Sequence, residues 1–192
     1  YTAYKFRPGT VWDFSGMTVE KFIPWLRRLR ETVGPDMDLM LEKRPWSLEE
    51  ALVLAPVLEE LRFLWFEEPM RTDGPDAIDN HLILKEALPT VMISGAEKTI
   101  NRFQVKEWFD RGAYQLLQPD ASIIGLGESW RTARMVIPQG GRFAPHNWQD
   151  GTVTMQNAHL AAGCPNTLML EMFEPFDPLK EEIFIEPLSV EN

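Results

Sequence analysis

Residues 62–69 read RFLWFEEP, a row of bulky apolar side chains that stops on two adjacent carboxylates and a proline. Phe63, Leu64, Trp65 and Phe66 show no alternation of apolar and polar residues, which is the pattern of a strand covered on both faces. Glu67 and Glu68 then stand at the mouth of a buried strand. Whether the rest of the chain repeats this arrangement decides the fold.

It does repeat. Short apolar runs occur at 2–6, 38–41, 63–66, 91–93, 114–117, 142–144 and 167–170, and stretches of helical period separate them at 19–33, 51–61, 77–87, 102–111, 128–137 and 153–162. Ser47 and Glu50 have capping-box spacing ahead of the second helix, and Gly34, Gly112 and Gly163 stand where helix C-termini favour glycine. Strand and helix alternate without a long linker, so the chain is read as βα units around a parallel sheet.

Composition narrows the function classes. The chain has 192 residues, 44% of them hydrophobic, with seven tryptophans, enough for one globular domain spanning 1–192. A formal charge of −10 argues against nucleic acid or an anionic membrane as partner, since both need a basic face. Cys164 is the sole cysteine, so no internal disulfide forms, and no apolar run nears the ~18 residues of a membrane span. No signal-peptide pattern follows Tyr1, and the chain reads as a trimmed or partial cytoplasmic protein with a small-molecule partner.

The residues that close the runs carry the chemistry. Glu42, Glu67, Glu97, Asp120, His146 and Glu171 recur at intervals of 23 to 30 residues, one βα unit each. In a (β/α)8 barrel such groups converge at the C-terminal ends of the strands. In an open doubly wound sheet they would lie along a line, and no glycine-rich phosphate loop follows the first run to favour that alternative. The barrel is therefore preferred, with seven of its strands counted and the first one missing. Acids gathered this closely need a cation, and oxygen-only ligands suit Mg2+ better than zinc.

Read in order, YTAYKFRPG, LWFEEPM, ISGAEKTINRF, LLQPDAS, FAPHNW and LMLEMF resemble the successive barrel-strand motifs of the enolase superfamily, mandelate racemase subgroup. The resemblance covers essentially the whole chain. It implies a C-terminal barrel domain from its second strand onward, without the first strand and the N-terminal capping domain. It also implies Glu67 and Glu97 as Mg2+ ligands, Asp120 and His146 as a dyad, Glu171 beside the substrate carboxylate and Lys5 as the first lysine of a Lys-x-Lys pair. The expected reaction is removal of the proton α to a carboxylate, giving an enediolate.

Two positions depart from that pattern. Arg7 stands where a second lysine is expected; it is a poor base and a good anion clamp, which favours dehydration of a sugar acid over racemisation. Glu42 stands where the first metal ligand is an aspartate, followed by Lys43 and Arg44, whose charge a metal site would not want. Glu68 rivals Glu67, Glu174 rivals Glu171, and Asp38 lies toward the other end of its strand. His81 and His159 read as packing or surface residues. Two alternatives stay open: a racemase or epimerase, and a non-catalytic barrel fragment or degenerate paralogue. Unpaired strand edges would drive self-association, so a homo-oligomer is expected.

Overall fold

A computed structural model describes residues 1–8, 16–42, 44–172 and 178–186. These divide into two compact units, Tyr1–Ser94 with Asp110–Tyr114, and Gly95–Phe109 with Gln115–Asn192.

The first unit alternates β1 (Ala3–Phe6), α1 (Val19–Val33), β2 (Asp38–Leu41), α2 (Leu48–Glu60), β3 (Phe63–Glu67), α3 (Ala77–Glu86) and β4 (Met92–Gly95). The strands pair parallel and in chain order. Their uninterrupted apolar runs have the expected cause: Leu39, Met40 and Leu41 are all buried, as are Phe63, Trp65 and Phe66, although successive side chains point to opposite faces. Helix α1 buries Val19, Phe22 and Leu26 along one stripe. The capping box opens α2, with Glu50 N–H donating to Ser47 Oγ at 3.1 Å and Ser47 N–H to Glu50 Oε2 at 2.9 Å. At the far end of α2, Glu59 accepts the N–H groups of Thr90 and Val91, both at 2.8 Å, and so fixes the entry to β4. Burial pushes the Glu59 carboxyl up, but those bonds together with the Thr90 hydroxyl outweigh it and hold the group below its ordinary range.

The second unit carries α4 (Arg102–Asp110), β5 (Leu116–Leu117), α5 (Ala121–Ile124), α6 (Leu126–Met135), a 3₁₀ turn (Ile137–Gln139), β6 (Arg142–Phe143), α7 (Gly151–Gly163) and α8 (Pro178–Glu181). β5 and β6 pair parallel, and Gln118 N–H donates to the Gly95 carbonyl at 2.7 Å. Phe143 is fully buried against Ala121, Ala133, Leu160 and Cys164. This packing sets the strand that leads directly to His146.

Two expectations need correction. The run 167–170 does not form a full strand: Thr167 makes a single parallel bridge to Phe143, and Leu168 N–H donates to the Phe143 carbonyl at 2.8 Å. β6 is only two residues long, so it offers little to pair with. The helix expected from 128 starts at Leu126, because Gly125 at φ 78° separates it from the short α5. A helix of four residues is too short to show a period in sequence. No described helix is long and apolar enough to cross a membrane.

Candidate active site

In the first unit the carboxylates meet cations. β1 and β2 are in register at Phe6 and Leu41, and β2 and β3 at Leu41 and Phe66. One step further on, this register sets Arg7, Glu42 and Glu67 on one rung of the sheet, and Lys5, two residues before Arg7, shares their face. Lys5 Nζ donates to both oxygens of Glu67, at 3.1 and 3.0 Å, and lies 3.6 Å from Glu42 Oε2. Arg7 Nη1 lies 3.3 Å from Glu42 Oε1. Trp65, two residues before Glu67, donates its indole N–H to Glu67 Oε2 at 3.2 Å. Glu67 is 1% exposed and Glu42 7%, so both charges lie where they need such partners. β3 stops at this point: Glu68 takes φ 36°, an uncommon backbone for a side-chain-bearing residue, and donates its N–H to the Ser94 carbonyl at 2.9 Å.

In the second unit His146 Nδ1 and Asp120 Oδ2 are 2.8 Å apart, and both side chains are buried. The other Asp120 oxygen caps α5, accepting the Ser122 N–H at 2.7 Å and its hydroxyl at 2.6 Å. Burial pushes the Asp120 carboxyl up, but hydrogen bonds from His146 and Ser122 prevail and hold it below its ordinary range. Asp120 is therefore an ionised acceptor, and Nδ1 is the imidazole nitrogen that carries the proton. This leaves the lone pair on Nε2, which lies 3.9 Å from Glu97 Oε1. That distance is beyond hydrogen-bond range for this pair of atoms, yet the Glu97 carboxylate would attract the imidazolium formed when Nε2 takes a proton.

The loop that carries His146 is tied down by residues without an obvious sequence signal. Asn157, buried on α7, donates Nδ2 to the His146 carbonyl at 2.9 Å and to Asn147 Oδ1 at 3.1 Å. Asn147 N–H donates to Glu171 Oε2 at 3.2 Å, and its Nδ2 to the Glu171 carbonyl at 2.8 Å. Asp150 caps α7, accepting the N–H of Thr152 at 2.8 Å. An asparagine within a helical stretch reads as neutral, and only the three-dimensional contact reveals what Asn157 does.

The candidate residues thus fall into two groups, Lys5, Arg7, Glu42 and Glu67 in the first unit and Glu97, Asp120, His146 and Glu171 in the second. Lys43 and Glu174 lie outside the described residues. Asp38 is exposed at the start of β2. His81 is fully buried, with Nδ1 and the Ala77 carbonyl 2.7 Å apart, a packing role; His159 is exposed on α7.

Mg2+ requires about six oxygens at 2.0–2.1 Å in near-octahedral order. The Glu42 and Glu67 oxygens are hard donors, but an ammonium, a guanidinium and an indole N–H already face them. Among the described residues no three acidic, histidine or cysteine side chains gather around a point that could hold an ion. As folded, the donor set does not fit Mg2+.

Comparison with known proteins identifies the chain. D-galactarolactone cycloisomerase of Agrobacterium fabrum is 28% identical over 187 residues, covering 92% of this chain and 48% of that protein. Arabinonate dehydratase of Saccharolobus solfataricus is 30% identical over 177 residues, covering 91% and 46%. The chain spans about half the length of these curated relatives. Among solved structures, the 3,6-anhydro-D-galactonate cycloisomerase of Zobellia galactanivorans is similar with a TM-score of 0.80 at 26% identity, over 94% of this chain and 48% of that one. A member of the enolase superfamily from Polaromonas reaches a TM-score of 0.84 at 24% identity over 97% and 47%, a likeness of fold. The family described as enolase C-terminal domain-like matches residues 1–192, and the chain belongs to it, as a partial α/β barrel domain of the enolase superfamily.

Proposed function

We propose that the chain is the catalytic barrel part of an enzyme that removes the proton α to the carboxylate of a sugar acid, with dehydration as the outcome. The observation that carries this reading is the buried His146–Asp120 pair at 2.8 Å. An α-proton beside a carboxylate is very weakly acidic, so its removal needs a base held in one tautomer and one orientation. Asp120 supplies both: its negative charge keeps the proton on Nδ1 and leaves Nε2 as the acceptor.

Nε2 takes the α-proton, and the C–H electron pair moves into the carboxylate to form an enediolate. The imidazolium, attracted by Asp120 and Glu97, then returns its proton to the β-hydroxyl; the enediolate electron pair forms the Cα=Cβ double bond as the β C–O bond breaks and water leaves. The resulting enol tautomerises to a 2-keto-3-deoxy acid. One group on one face suffices for this sequence, whereas a racemase needs a second base.

Lys5 is a weak candidate for that second base, because its Nζ is engaged by the carboxylates of Glu42 and Glu67. Arg7 pairs with Glu42, and a guanidinium serves as an anion clamp rather than a base. The names of the two curated relatives, one an acid-sugar dehydratase and the other a cycloisomerase of a sugar-acid lactone, support a sugar-acid substrate. We assign Glu171 to the His146 loop, where it accepts the Asn147 N–H.

The test is solvent exchange. The chain is incubated with a panel of aldonates and aldarates in deuterated water, and incorporation at the α-carbon is followed by NMR. His146→Asn should remove exchange while the far-UV spectrum and the unfolding midpoint stay close to those of the unmodified chain. Equal exchange in both proteins would end this reading.

A further inference from the structure

We propose that Lys5 and Arg7 are the resident counter-cations of Glu42 and Glu67, and that this cluster occupies the role a divalent ion would otherwise fill in the first unit. The register of β1, β2 and β3 sets Glu42 and Glu67 on neighbouring strands of a sheet whose spacing is about 4.8 Å. Two buried carboxylates that close repel each other, and one of them must be neutralised or both must share positive charge. Here the positive charge is covalently part of the chain. The Lys5 ammonium sits between the two acids, with Glu67 at 3.0 Å and Glu42 at 3.6 Å, and the Arg7 guanidinium reaches Glu42 at 3.3 Å.

Lys5 and Arg7 already set positive charge against Glu42 and Glu67. A divalent ion entering the same cluster would add two further positive charges beside that ammonium and guanidinium, or else would have to eject Lys5 and Arg7 into water. Both routes weaken binding relative to a pair of carboxylates alone. The indole of Trp65 adds a further donor to Glu67 Oε2, so a metal would also have to displace a hydrogen bond that cannot follow it. Arg7 and Glu42 emerge as a matched pair. A lysine at position 7 would have a shorter reach and no planar fork, and an aspartate at 42 would fall a methylene short of the guanidinium.

This inference does not depend on the proton-abstraction reading and is tested without any substrate. Mg2+ is titrated calorimetrically into the unmodified chain and into Glu67→Gln, Lys5→Gln and Arg7→Gln, and the melting temperature of each is recorded with MgCl2 and with NaCl at equal ionic strength. Expected are no saturable Mg2+ heat for the unmodified chain and no melting shift beyond that of NaCl. In metal-free buffer Lys5→Gln should melt lower than the unmodified chain, and adding Glu67→Gln to it should cost less than Glu67→Gln alone, since the two changes remove one shared interaction. Arg7 is half exposed at its side chain, so Arg7→Gln folds even if Lys5→Gln does not, and the same cycle is then run on Arg7 with Glu42→Gln. Saturable Mg2+ binding by the unmodified chain that Glu67→Gln abolishes would overturn the proposal, as would additive melting shifts in the cycle.

Discussion

Asp120→Asn isolates the chemistry of the dyad from its architecture. In the unmodified chain one Asp120 oxygen accepts the Ser122 N–H and hydroxyl, at 2.7 and 2.6 Å, and the other accepts His146 Nδ1–H at 2.8 Å. Asparagine can meet these three donors in two orientations. With its oxygen toward Ser122 it keeps both capping bonds and turns its NH2 toward His146 Nδ1. With its NH2 toward Ser122 it loses the cap, worth about 1 kcal/mol, and sets N–H against N–H. The first orientation wins, and asparagine is itself a good N-cap.

An NH2 facing Nδ1 can be satisfied only if Nδ1 becomes the acceptor, so the imidazole proton moves to Nε2 and the lone pair that should take the substrate proton is lost. The fall in α-proton exchange is then on the order of 10²–10⁴-fold, the usual worth of a positioned base. Stability falls far less: a charge-assisted hydrogen bond of ~1.5–3 kcal/mol is replaced by a neutral one of ~0.5–1.5 kcal/mol. The assay pairs solvent deuterium exchange with a ¹⁵N–¹H correlation of the imidazole, which reports the tautomer without any substrate. The unmodified chain should show Nδ1–H and the variant Nε2–H. A proton on Nε2 of the unmodified chain, or an unchanged exchange rate in the variant, would refute the reasoning.

Two more predictions concern stability. Burial lowers the pKa of His81 despite the opposing Ala77 carbonyl. Below the ordinary histidine value the unfolded chain therefore binds a proton that the folded chain refuses, and stability declines as pH falls toward the folded-state pKa, by at most ~1.4 kcal/mol per pH unit. Urea unfolding between neutral pH and mild acid should show this slope, and His81→Phe should flatten it; an equal slope in the variant would assign it elsewhere. Gly141→Ala would drive a methyl carbon into the Phe109 ring and to 2.5 Å from Val136 Cβ, next to the start of β6. Overpacking of this kind costs ~1–3 kcal/mol, read as a lowered urea midpoint, and an unchanged midpoint would mean that the Phe109 ring yields freely.

Much of this molecule was legible because its parallel strands write their burial directly into the sequence. The run Phe63 to Phe66 forms β3, with Phe63, Trp65 and Phe66 buried, and the ionisable residue after such a run marked a strand end at Glu42 and Glu67 but not at Glu171, whose run makes a single bridge. Helix α1 matched its expected span because the Val19, Phe22 and Leu26 stripe has helical spacing and the helix ends at Gly34, which takes φ 80°. Helix α5 was invisible because four residues cannot display a period, although Asp120, which caps it, stood out for another reason. The support given by Asn157 is a contact between a helix and a loop and has no local signature.

The pairing of charges was half legible. A charge at each strand end suggested acids that need a cation, with Mg2+ as the expectation. Lys5 and Arg7 lie two residues apart, hence on one face, and a parallel sheet in chain order brings their strand beside the one that leads to Glu42. Periodicity alone locates the strand ends. Only the register between strands says which charges meet, and that register places the cations of β1 against the acids of β2 and β3. A recurrent carboxylate in a barrel sequence is therefore evidence of a metal site only after the basic residues on the neighbouring strands have been set against it.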